Sequence, residues 1–181
     1  MFWHIRAGGR ERNIDPAPTG TKRNVRCYDL FRFTHQDQGA HTLSNTFQRQ
    51  SITAEAAKKL IAAAEKKSLE IGKNMVIAVC DESGNLKAFS RMDGAPLLSV
   101  QIAQDKAYTA ISFSLPTHQW YEFIKNDPPL LHGITHTPRL VVFGGGYPIV
   151  VNKQVVGGIG VSGGHYSEDM DVAEFALKAI E

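Results

Sequence analysis

Lys106 is the residue least at home among its neighbours. Residues 97–113 read LLSVQIAQDKAYTAISF. At about 100° per residue, Val100, Ala103, Ala107, Ala110 and Ile111 share one apolar arc, extended by Ile102 and Phe113. Lys106 falls inside that arc, whereas Gln101, Asp105, Tyr108 and Ser112 mark the wet face. An ammonium aimed at a core must be paired, reach water along its stem, or face a polar cavity. By residue type the expected partner is Asp93 or another carboxylate brought in by the fold. One reading is a stem that covers the edge of the core. The other is a cation in a site, binding a carboxylate or propionate or acting as an acid or base.

Arg91 and Asp93, in SRMDGAP just before this helix, form a polar cluster where a strand gives way to a helix, a frequent place for a binding site and equally for a plain turn. Four histidines follow: His118, His132, His136 and His165. His132 and His136 have the H-x-x-x-H spacing, but DPPLL precedes them and GIT lies between them, so a shared helical face and a zinc pair are not expected. Haem ligation by His118, His132 or His136, or by Cys80, Lys106 or Tyr121, needs no local motif.

Eight of the sixteen glycines lie between residues 144 and 164. Within that run Gly158-Ile-Gly-Val-Ser-Gly163 has the G-x-G-x-x-G spacing of a dinucleotide loop. Such a loop requires a second parallel strand downstream. The sequence ends one helix later, at Glu181, so a phosphate cradle is not expected. The glycines are read instead as turns and a bulge, or as a bare sheet surface open to a flat ligand or a neighbouring subunit. Ser162 lacks the G-x-S-x-G frame of a hydrolase nucleophile.

The elements that position these residues follow from periodicity. Thr53 caps a helix that runs to Gly72. MVIAVC, a DESGN turn and LKAFSRM form a hairpin. After the Lys106 helix, a helix over about 117–126 ends at DPP. RLVVF, PIVVN and QVVGGIGV read as three strands, and SEDMDVAEFALKAI as a closing helix with acidic residues suited to its dipole. The prediction is an α+β domain over residues 52–181, a five-stranded antiparallel sheet with flanking helices. Residues 1–51 lack periodicity and are expected to be a poorly ordered or extraneous extension.

Residues 1–50 carry eight Lys/Arg against four Asp/Glu, and residues 51–181 carry twelve against fourteen. The slightly acidic domain argues against nucleic-acid binding. No apolar run approaches the length of a membrane span or the centre of a signal peptide. The two cysteines, Cys27 and Cys80, form no framework, so a soluble, cytoplasmic protein is expected.

Four motifs in order, RMDGA, DKAYTA, FGGGYPI and VVGGIGVSGG, precede the acidic terminal helix. Together they resemble the GlcG/HbpS family, with the pattern nearest the C-terminal domain of PduO-type cobalamin adenosyltransferases and stand-alone proteins of glycerol and diol utilisation operons. The resemblance covers about residues 52–181. It implies a profilin-like sandwich, a homo-oligomer, and haem as a cofactor of several members. The family pattern carries Arg91, Asp93, Gly94, Lys106, Thr109, Gly144 to Gly146, Pro148, Gly157, Gly158, Gly160, Ser162, Gly163 and Asp169; it carries over no axial ligand and no adenosyltransferase domain.

Three functional readings stand. The first is a homo-oligomeric accessory protein of glycolate, diol or glycerol type catabolism. It would hold haem or a related planar cofactor among Arg91, Asp93, Lys106, Thr109, Gly145, Gly146, Gly158, Gly160, Ser162 and His132. The second is an enzyme acting on a small carboxylate or carbonyl metabolite, with Lys106 as anchor or acid/base and Asp93 or a histidine moving protons. The third is a structural partner in a larger catabolic complex.

Overall fold

A computed structural model describes residues 45–181, and the expectations for residues 1–44 lie outside them. Thr53 accepts a hydrogen bond from the Ala56 amide at 3.1 Å and starts α1, Ala54–Glu70. Strands β1 (Val76–Asp81) and β2 (Leu86–Arg91) form the expected hairpin. Helix α2 spans Ser99–Phe113, followed by two short helices, α3 (Gln119–Ile124) and α4 (Pro128–Gly133). Strands β3 (Gly146–Val151) and β4 (Gln154–Ser162) make a second hairpin, and α5 covers Tyr166–Leu177.

The sheet is antiparallel, in the order β2-β1-β4-β3, with helices on both faces. It has four strands among the described residues, not five. The missing strand is RLVVF. Its backbone is claimed by a side chain of α2 instead: Thr109 Oγ1 donates to the Arg139 carbonyl at 2.8 Å and accepts from the Val141 amide at 3.0 Å. Arg139 itself has φ of 68°, which no strand accommodates. A branched apolar run is only a weak strand signal when one hydroxyl can satisfy the same groups.

The segment DPP also does more than end a helix. Asp127 accepts from the Leu130 amide and caps α4, with proline in its first turn, where a missing N–H costs nothing.

Alternation along β1 and β4 sorts the core into two layers. Ile77, Val79, Ile159 and Val161 point to one face, against Leu60 and Ala64 of α1 and Val172 and Ala176 of α5. Val76, Ala78 and Cys80 point to the other, against Ala103 and Ala107 of α2. Glycines occupy the α2 side of β4. A Cβ on Gly160 would overlap the Ala103 carbonyl, and one on Gly158 would overlap the Ala107 carbonyl. A Cβ on Gly146 of β3 would lie 2.6 Å from the Lys106 carbonyl. The bare sheet surface is thus covered by the chain's own helix, whose alanines and the strands' glycines let two backbones touch.

Candidate functional site

The buried arc of α2 includes Lys106, which has no solvent exposure. Its partner is Asp169 of α5, not Asp93. Nζ donates to Asp169 Oδ2 at 2.6 Å and to the Val161 carbonyl at 2.9 Å, and it sits 4.9 Å from the centre of the Phe143 ring. The other carboxylate oxygen of Asp169 accepts from the Gly164 amide at 3.1 Å. Burial pushes the Lys106 ammonium down and the Asp169 carboxyl up from their ordinary values, while each partner's charge pulls the other way. Gly145 completes the nest: its φ is +110°, and a Cβ there would lie 2.7 Å from Nζ. An anchoring or acid/base role for Lys106 would require α5 to move away.

Beside this pair lies a cleft of about 380 Å³ lined by His118, Tyr121, Val142, Phe143, Gly144 and Tyr166. Each wall is fixed from behind. Thr117 Oγ1 accepts from the Gly146 amide at 2.9 Å, which ties the start of α3 to the edge of β3. The Gly145 carbonyl accepts from the Val161 amide at 2.9 Å, which holds the 143–145 turn to β4. His165 caps α5 in a reciprocal box with Glu168, which sets Tyr166 at the first helical position. The walls carry exposed aromatic surface: Tyr121, Phe143 and Tyr166 are 56%, 43% and 49% exposed. Nδ1 of His118 is buried and has no hydrogen-bond partner among the described residues.

The cleft gathers few of the residues that the sequence proposes. His118 and Tyr121 line it, and Gly145 adjoins it. His132 and His136 are exposed, one in α4 and the other in a 3-10 turn, Ile134–His136. Arg91 and Asp93 are exposed at the end of β2, where an Arg91 Nη donates to the Ala95 carbonyl at 3.4 Å. Thr109, Gly158, Gly160 and Ser162 are buried, with the glycines beneath α2. Cys80 is buried, and desolvation raises its thiol to about 11. Phe143 and Tyr166 are not among the residues the sequence proposes; the signal was an aromatic next to one glycine cluster, in FGGG, and one residue beyond the other, in GGHY.

An antiparallel sheet flanked by helices, with an aromatic cleft at the rim of a buried ion pair, defines a small α+β domain. Residues 52–178 match the family described as haem degrading protein, HbpS-like, and the chain belongs to that family. It is 39% identical, over 75% of its length and 96% of the relative's, to an uncharacterized 15.0 kDa protein from the dhaT-dhaS intergenic region of Citrobacter freundii. Among solved structures, a PduOC:heme complex is 30% identical with a TM-score of 0.68, covering 72% of this chain and 96% of the other. A double mutant of HbpS from Streptomyces reticuli is 28% identical with a TM-score of 0.70, covering 82% and 99%. No described helix is long and apolar enough to cross a membrane.

Proposed function

We propose that this chain is a haem-binding accessory protein whose ligand occupies the cleft between α3, the 142–144 turn and the start of α5. The observation that carries the reading is His118, an imidazole on an aromatic wall whose buried Nδ1 has no hydrogen-bond partner among the described residues. The lining suits the group: aromatic faces favour a flat apolar macrocycle, and imidazole and phenol are both known axial donors to haem iron. No lysine or arginine lines the cleft among the described residues, so propionates would find no cation in its lining. Haem, if bound, would supply an iron centre, and His118 would be the residue that holds it. The heme complex of a structurally similar PduO domain supports the same ligand class. We further propose that the protein acts as a homo-oligomer in the cytoplasm, in small-molecule catabolism of the glycolate, diol or glycerol type.

Hemin titration tests the reading. The wild-type protein is expected to saturate near one haem per chain with a Soret band, and His118→Ala to shift or abolish it. His132→Ala and His136→Ala are expected to leave it unchanged. Wild-type protein that gives no saturable Soret change, or a His118→Ala variant that titrates like wild type, would overturn the assignment. Native mass measurement of the same samples reads the oligomer.

A further inference from the structure

One ammonium group ties together four segments. Lys106 comes from α2; its nitrogen bonds Asp169 of α5 and the Val161 carbonyl at the end of β4, and it faces the Phe143 ring. The turn that carries Phe143 passes so close that residue 145 must be glycine. Two walls of the cleft, Phe143 and Tyr166, stand on segments that meet at this atom or within one helical turn of it.

A buried ion pair is a weak source of stability, because desolvation of both charges cancels much of their attraction, and an apolar pair of similar volume often does as well. It differs from an apolar pair in direction. An ammonium bonded to two oxygens has a fixed position, and a ring above it is held face-on by its quadrupole. Leucine or methionine at the same place would fill space without choosing where the Phe143 ring lies.

We infer that Lys106 and Asp169 are positioning residues for the cleft: the charge pair sets the Phe143 ring against the ligand through the cation–π contact and locks the start of α5 beside it. The inference rests on the cleft being the binding site, but the geometry it invokes exists without ligand.

The test uses the full chain with 4-fluorophenylalanine placed at position 143, in wild type and in the charge-free double variant Lys106→Met/Asp169→Asn. Removing both charges avoids stranding either one. Thermal unfolding verifies that the double variant folds. In the wild type one sharp ¹⁹F resonance is expected. In the folded double variant that line should shift toward the free amino acid or split, and hemin affinity should fall at least tenfold. Phe143→Leu keeps an apolar wall but removes the ring. If the pair acts through that ring, adding Phe143→Leu to the double variant should weaken hemin binding less than twofold further.

An unmoved ¹⁹F line in the folded double variant overturns the inference, whatever hemin does. Multiplicative losses overturn the route through Phe143. Should the double variant fail to fold, Asp169→Glu supplies the second reading, because it keeps the charge and displaces the carboxylate: a moved ¹⁹F line supports the inference and an unmoved one overturns it. If wild-type protein does not bind hemin, the haem assignment fails on its own and the ¹⁹F comparison still decides whether the pair positions the ring.

Discussion

The two faces of the sheet are packed by opposite means. Against α1 and α5 the strands present Ile77, Val79, Ile149, Ile159 and Val161, branched side chains that fill the space between layers. Against α2 the same strands present mostly glycine, alanine and cysteine beside Val76, and the helix answers with Ala103 and Ala107. One face is built by filling volume and the other by removing it. Close packing on the α2 side brings backbone against backbone and leaves no room for the stem of Lys106 except along the layer toward α5. The difference teaches that a glycine-rich strand need not mark a ligand surface. It also marks a helix laid directly on a sheet, with any site displaced to the rim.

Gly160→Val puts side-chain atoms where the Ala103 carbonyl stands, so a loss of more than about 5 kcal/mol is expected, the scale of a whole small domain's stability. Denaturant unfolding measures it; a stable, folded variant would show that α2 can lift away from the sheet. Lys106→Met leaves Asp169 buried without its partner, and about 3–5 kcal/mol is expected. That loss should largely disappear in Lys106→Met/Asp169→Asn, and equal losses in the single and double variants would mean that the stem rather than the charge matters.

On the filled face, Leu60→Ala opens a cavity beneath α1 and should cost about 3 kcal/mol. A loss below about 1 kcal/mol would show that this face collapses more easily than its branched packing suggests. The smallest effect sharpens the comparison from outside both cores. Thr53→Ala removes only the cap of α1, and about 1 kcal/mol is expected by thermal or chemical denaturation.

Most elements were readable because their signals are local. Thr53, the DESGN turn between two alternating runs, and the acidic start of α5 each carry their own geometry, and the structure forms α1, the first hairpin and α5 near those places. RLVVF failed as a strand for a reason no local signal holds: the hydroxyl that takes its backbone lies thirty residues earlier, on Thr109. The cap of α5 carries no usual local signal, since His165 rather than a hydroxyl or carboxylate side chain accepts from the Ser167 amide.

Lys106 shows the same division at the site. Its angular position on α2, read from 3.6-residue periodicity, put it on the apolar arc and left a covering stem or a paired charge open; the structure buries it against Asp169. Periodicity says nothing about which of the domain's fourteen carboxylates arrives. Asp93 was near in sequence, but the partner comes from sixty-three residues away because β4 carries the chain back beside α2 before α5 begins.

Residue type and periods of two and 3.6 were enough for α1, α2, α5 and the two hairpins, and for the place of Lys106 on the apolar arc of α2. Only the tertiary structure decided that Asp169 meets Lys106, that the glycines are covered, and that His118, Tyr121, Phe143 and Tyr166 share a cleft. Those pairings depend on strand order and on where each turn sends the chain. Distance through space is set there by the whole fold and leaves no mark on any single segment.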